Sequence, residues 1–289
     1  MFDSIYKDLS YRIRTGGFWL RVIVLCTLVF IAINLLKGYF SFANGGFPGE
    51  VYYDIINSIS LSSDLWHNIK FPWVWITHVF VHEGFFHLLW NMLWLYSLST
   101  IVEDLIGRKR AIIIFIESAI FGGLFFLIST LVLPWYQGIE VHAQGSSAAV
   151  IGLLFAAATI SPDYGIRLLF LGNIPIKYLA LAVLILDLLF AGQNNNSGGH
   201  FAHLGGAFWG WAYINLLRKG VAMDSWLDLF SKNANKMQQK RPPVQKRTQF
   251  KPPVSKEEKM NAILDKIRLQ GIEKLSQEEK EFLDQFGKD

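Results

Sequence analysis

Unbroken apolar runs dominate this chain, with lengths that suit membrane-spanning helices. They extend over about 18–40, 83–104, 111–133, 146–161, 174–191 and 201–217, which predicts six spans within residues 18–219. Residues 1–17 place Lys7, Arg12 and Arg14 among Phe2, Ile5, Tyr6, Leu9 and Ile13, a spacing that lays one apolar face on a membrane surface. A positive end before an apolar run also suggests a signal peptide. The run continues to Phe40 without an A-x-A-like exit, so it reads as a first span. Residues 41–72, with Gly45, Gly46, Pro48, several acids and scattered Trp and Tyr, read as a long loop with interfacial aromatics. The fourth run is shorter than the roughly 20 residues a bilayer asks for. Its helix therefore starts below the surface, fed by a loop buried in protein, because lipid tolerates no bare backbone.

Composition supports this reading: 52% hydrophobic and 15% aromatic residues in 289, with a mean hydropathy of +0.30, are too apolar for a soluble globule. The net charge of +4 matters through its distribution. Lys and Arg lie before the first run, at Arg108–Arg110, at Arg167, and at Arg218 and Lys219, whereas 134–145 and 192–199 contain none. By the positive-inside rule both termini are cytoplasmic, and the second, fourth and sixth spans run from outside to inside. Cys26, the single cysteine, lies in an apolar run and reads as core.

Beyond 220 the character changes. Residues 220–254 read as a basic linker, with eight Lys or Arg and no acid between Ser231 and Lys256. A doubled Arg/Lys-Pro-Pro-Val element, at Arg241–Val244 and Lys251–Val254, makes it extended. Such a stretch is drawn to anionic lipid, and nothing in it argues for nucleic acid. In residues 255–289, Ser255 with Glu258 and Ser276 with Glu279 form two capping-box patterns separated by Gly271, which predicts a small helical hairpin.

The candidate chemistry sits at the ends of three spans. Two adjacent serines, Ser146 and Ser147, open the fourth run, where backbone N–H groups lack intrahelical partners and the dipole favours a developing oxyanion. An ordinary N-cap is the bland alternative. The second span opens with His82, His87 and Asn91, the last two sharing a helix face, and the sixth opens with His200 and His203. Polar groups are costly in a bilayer, so each is a functional candidate. Ala148, Gly152 and Ala156 on one span and Ala202, Gly206 and Gly210 on another make small-xxx-small stripes that let backbones approach. Packing them brings Ser147 and His203 together as nucleophile and general base. Asn91, His87 and the Ser147 N–H could then hold an oxyanion.

His82-x4-His87-x3-Asn91, Gly145-Ser146-Ser147-Ala148 and Ala202-His203-x2-Gly206-x3-Gly210, in this order on the second, fourth and sixth spans, resemble the rhomboid family of intramembrane serine proteases. Glu103 and Gly107 match a similar E-x3-G, and the resemblance covers about residues 60–218. It implies an all-α polytopic membrane fold: a six-helix rhomboid-like bundle with a small cytoplasmic C-terminal hairpin, seated in a bacterial plasma membrane. It further implies a Ser147/His203 dyad without an acid, an oxyanion site of His87, Asn91 and the Ser147 amide, and supporting roles for His82, Gly145, Gly206 and Gly210. The implied partners are the lipid bilayer and single-span membrane proteins cleaved near the outer face, with no cofactor, metal or nucleic acid. The tail looks like a small domain appended to some bacterial rhomboids. Two departures stand out: Ala148 where many members have Gly, and Trp73-Val74 where many have Trp-Arg.

Three rivals remain. His82-Glu83-x3-His87 spaces its histidines five apart, where H-E-x-x-H needs four to put both on one face. A catalytically silent rhomboid-like scaffold typically lacks the Ser or His, and both are here. A transporter could hold buried Glu117 and Asp187, but no paired broken spans appear. Both acids read as interhelical hydrogen-bonding partners, although the depth of Asp187 leaves a catalytic role open.

Overall fold

A computed structural model describes residues 17–168, 172–193, 196–221 and 256–286. The amphipathic N-terminal segment, apart from Gly17, the basic Pro-containing linker from 222 onward and the Ser255 capping box lie outside the described residues. The first apolar run is helix α1, Phe18–Ala43, which stops where Gly45 and Gly46 take φ of 69° and 116°. Residues 41–72, expected as loop, carry regular structure: α2, Gly49–Asn57; a short strand β1, Leu61–Ser62; and α3, Leu65–Lys70. The Gly, Pro and Asp that look like breakers also serve as helix starts, and Asp64 caps α3 by accepting from Trp66 N–H at 3.0 Å. Tyr52 and Ile56, one turn apart, bury one face of α2.

The chain continues through α4, Val74–Thr77, and a 3₁₀ turn, His78–Phe80, into α5, Phe85–Ile106, and α6, Arg108–Val132. Gly107, at φ 87°, makes the corner between them. Glu103 braces that corner, accepting from Trp19 Nε1 at 2.8 Å and Arg108 Nε at 2.7 Å, which gives the E-x3-G pattern a structural purpose. After a 3₁₀ turn, Pro134–Tyr136, strand β2, His142–Ala143, pairs antiparallel with β1, Leu61 facing Ala143 and Ser62 facing His142. Helix α7, Ser147–Ile160, follows, then a hairpin of β3, Gly165–Leu168, and β4, Gly172–Pro175. Both strand pairs depart from the all-α expectation. Helices α8, Ile176–Phe190, and α9, Ser197–Arg218, follow.

Among the described residues, α1, α5 and α6 are long and apolar enough to cross a membrane. Helix α7 is apolar but has 14 residues, about 21 Å at 1.5 Å per residue, against a hydrocarbon core of about 30 Å. It is also the most enclosed: Ala149, Leu153, Ala156 and Ala157 are almost wholly buried, and α5, α6, α8 and α9 all pack on it. Cys26 is buried in the same core. The outward faces of the surrounding helices carry exposed Leu28, Leu35, Leu93, Leu131 and Leu188, as suits a surface in contact with lipid.

Residues 231–289 form a separate unit. Its described part holds α10, Lys256–Gln270, a 3₁₀ turn, Ile272–Lys274, and α11, Gln277–Phe286, with Gly271 at φ 84° ending α10. Glu279 accepts from Ser276 N–H at 2.7 Å while Ser276 Oγ accepts from Glu279 N–H at 3.3 Å, a complete capping box. Lys266 Nζ reaches both Glu279 oxygens at 2.8 and 2.7 Å, tying α10 to α11. The Lys266 hydrogen bond, then the Ser276 amide, hold the Glu279 carboxyl below its usual range. A depressed carboxylate contributes stability that is present above the unfolded value of about 4.3 and lost as pH falls through the folded one. We therefore expect Ser276→Ala and Glu279→Gln in the full chain to speed amide exchange in α11 by roughly 2- to 30-fold at pH 7. The advantage of wild type over Glu279→Gln should shrink once the pH drops below about 4. Equal exchange in all three proteins at pH 7 would show that the box does not hold α11.

Candidate active site

Glycine determines how the site is assembled. A methyl built on Gly206 would lie 2.0 Å from the Ala148 carbonyl oxygen, and one on Gly210 would lie 2.0 Å from that of Gly152. The backbones of α7 and α9 are thus in direct contact, advancing together four residues at a time in the same direction. At their far ends Arg218 donates to the Thr159 carbonyl at 2.6 Å. The same packing explains how Ala148 is tolerated. A methyl on Gly122 of α6 would sit 2.5 Å from Ala148 Cβ, so Gly122 vacates the space that the Ala148 side chain fills. Gly205 similarly fits against the Phe121 carbonyl.

With that seam closed, Ser147, the first residue of α7, places Oγ 2.8 Å from His203 Nε2. The N-cap alternative fails on geometry, since Ser146 occupies the cap position without a side-chain cap bond and Ser147 Oγ is directed to His203. Asp187, near the C-terminal end of α8, puts Oδ1 2.9 Å from His203 Nδ1 and 2.8 Å from His200 Nδ1. An ionised carboxylate only accepts, so both Nδ1 atoms carry the proton. The lone pair of His203 is then on Nε2, facing Ser147 Oγ. Asp187 does join two helices, as expected, and it does so through the ring that touches the serine. Glu117 is a plain interhelical partner, accepting from Trp209 Nε1 at 3.0 Å.

The second-span residues collect on the other side of the serines. His82 is fully buried, with Nε2 3.4 Å from both the N–H and Oγ of Ser146. Ser146 Oγ also lies 3.4 Å from Asn91 Oδ1. Asn91 spends one amide N–H on the His87 carbonyl at 2.8 Å, leaving the other for a ligand. Gly145, at φ 109°, donates its N–H to the His78 carbonyl at 2.8 Å. A side chain at Gly145 would run into His87, 2.8 Å from Cε1, so only glycine lets the loop pass this ring. Ser146, unassigned from the sequence, is therefore the hinge between His82, Asn91 and α7.

A cleft of about 1120 Å³ opens on Ser147, His203, His87 and Asn91. Its walls include Trp90 and Trp94 of α5 and Leu179 and Val183 of α8. Among the described residues, His82, Glu83 and His87 are not a convergent ligand set, whereas Asp187 with His200 and His203, and His67 with Glu140 and His142, are.

A family model described as the rhomboid domain matches residues 70–220, and one described as a family of unknown function, DUF6576, matches residues 253–289. Rhomboid protease GluP of Bacillus subtilis is 27% identical over 198 residues, 68% of this chain and 36% of that protein. Rhomboid protease GlpG of Klebsiella pneumoniae is 27% identical over 159 residues, 55% of this chain and 50% of that protein. Rhomboid protease GlpG of Yersinia pseudotuberculosis is 24% identical over 233 residues, 76% of this chain and 68% of that protein. The chain thus spans half or less of the length of the first two.

The seam makes a packing prediction. Gly122→Ala should lower stability by about 1–3 kcal/mol, read from thermal melts in detergent, because its methyl meets Ala148 Cβ. Adding Ala148→Gly should recover part of that loss, with a coupling of about 0.5–3 kcal/mol. Strict additivity of the two substitutions would show that these side chains do not share the space.

Proposed function

This chain belongs to the rhomboid family and is an integral membrane protein, and from that premise we propose that it is a serine endopeptidase that cleaves membrane-anchored proteins within the bilayer. One observation carries the reading: the 2.8 Å contact of Ser147 Oγ with His203 Nε2 at the first turn of a short, enclosed apolar helix. In the proposed reaction His203 Nε2 takes the Ser147 proton as Oγ attacks the scissile carbonyl, and returns it to the leaving amine. An acyl-enzyme remains on Ser147, and water, activated by the same imidazole, releases it. The tetrahedral oxyanion lies where the Ser147 N–H, the free Asn91 amide N–H and His87 can reach it, supported by the positive end of α7. Asp187 is a positioning residue that fixes the His203 tautomer. Gly145, His82, Gly206 and Gly210 hold the frame.

Six spans, α1 and α5 through α9, follow from combining the apolar runs with this family, and the charge pattern puts both termini on the cytoplasmic side. Ser147 then lies toward the outer face of what we take to be a bacterial inner membrane. A single-span substrate would unwind into the cleft past Trp90 and Leu179. The modules are then 1–17 at the cytoplasmic surface, 18–219 in the membrane, the linker 220–254 and the hairpin 255–289. A silent scaffold would leave the Ser147–His203–Asp187 alignment without a purpose.

Purified protein in liposomes with a model single-span substrate tests the chemistry. Ser147→Ala and His203→Ala should each abolish cleavage and combine without further loss. Asp187→Asn should lower kcat by about 10²- to 10⁴-fold with little change in KM, since it misplaces the base without touching substrate. Cleavage by purified Ser147→Ala at the wild-type rate would sink the assignment. In intact cells, a cysteine at Gln137 should react with an impermeant thiol reagent and one at Ser255 should not. The opposite pattern would invert the topology.

A further inference from the structure

We propose that His67, Glu140 and His142 form a binding site for a zinc-type divalent cation, joining two loops beside the serine but taking no part in the chemistry. Glu140 lies two residues before His142, the first residue of β2, and Ser63 N–H donates to the intervening Val141 carbonyl at 2.8 Å, which carries the pairing back toward Glu140. The β1–β2 pairing brings that segment to α3, which carries His67. Ligand atoms of the three side chains lie within 4.8 Å of one another. His142 Nε2 stands 3.3 Å from Glu140 Oε1, yet is buried without a hydrogen bond. A buried imidazole nitrogen with no hydrogen bond, this close to a carboxylate oxygen, is placed to share a cation with it. A tetrahedral ion with ligands at about 2.0–2.1 Å sets neighbouring donors roughly 3.3 Å apart.

The surroundings are those of a ligand set. His67 Nε2 lies 2.9 Å from the Asn57 carbonyl, which accepts its proton and leaves the lone pair on Nδ1. Ser62 Oγ donates to Glu140 Oε1 at 2.6 Å. Metal-binding imidazoles and carboxylates are oriented in this way by outer hydrogen bonds. Two imidazole nitrogens and one carboxylate, with a fourth position left to water, suit zinc, whereas magnesium and calcium call for oxygen ligands. The other convergent set, Asp187 with His200 and His203, has its imidazole Nδ1 atoms already on the carboxylate and His203 Nε2 on the serine. A cation on His67, Glu140 and His142 would pin the first loop to the segment that leads into Gly145.

Chelator-treated full-length protein in detergent, titrated with zinc chloride in competition with a chromophoric chelator, tests the site. One equivalent should bind in wild type and in Asp187→Asn. His142→Ala, His67→Ala and Glu140→Gln should each weaken binding at least about 10-fold. Glu140 is half exposed, so Glu140→Gln guards against loss of folding, checked by matched thermal melts without metal. Zinc should raise the melting temperature of wild type and not of Glu140→Gln. Absence of binding in wild type, or binding lost with Asp187→Asn but kept in His142→Ala and Glu140→Gln, would overturn the proposal. Since Ser147 is not involved, failure here leaves the protease reading standing, and loss of cleavage in Ser147→Ala leaves this one standing.

Discussion

The contact between the Ala148 carbonyl and Gly206 leaves no room for a side chain, and the positions of the groups around Ser147 depend on it. In lipid there is little hydrophobic drive to press helices together, so close packing and interhelical hydrogen bonds must do it. Helix α7 meets the first by having almost no side chains along the seam, and the second through Ser147 with His203 and the Thr159 carbonyl with Arg218. Because Gly206 abuts Ala148 and Gly210 abuts Gly152, the register of α9 on α7 is fixed to within a fraction of a turn. His203, one turn before Gly206, is thereby delivered to Ser147, one residue before Ala148. A larger residue at either glycine would part the two helices where an error of about 1 Å costs most.

The polar groups follow from the same enclosure. A hydroxyl, two imidazoles and a carboxylate set in an apolar bundle are costly unless hydrogen-bonded, and here they satisfy one another. Asp187 meets that demand for His200 and His203 at once, and in doing so leaves only one nitrogen of His203 to face Ser147. The structural requirement and the proposed catalytic one are met by a single arrangement. Ser146 plays the matching part on the other side, where His82 and Asn91 surround its hydroxyl.

Much of this was legible in the chain because helical periodicity is local. Small residues at every fourth position, with a Ser and a His each adjacent to one, point to the pairing of Ser147 with His203, and the order of the motifs along the chain strengthens it. Asp187 was harder to place. It lies 16 residues before His203, on a different helix, and its reach depends on where α8 ends and how the turn at 191–193 runs. The signal available was an acid in an apolar run followed by two histidines three apart. Strands β1 and β2 leave little local cue in the sequence, since they are two residues each and draw their stability from long-range pairing. The hairpin of β3 and β4 had a local cue in Gly172, at φ 74°, between short β-forming stretches.

The protease reading stands on Ser147 being a nucleophile activated by His203, and a covalent serine probe reads that property without a substrate. The purified full-length protein would be treated with a fluorophosphonate and digested, and the modified residue located by mass spectrometry. The expected result is a single adduct on Ser147, absent after denaturation and slowed by orders of magnitude in His203→Ala. An adduct on Ser146, or labelling of Ser147 at the same rate in His203→Ala, would contradict it.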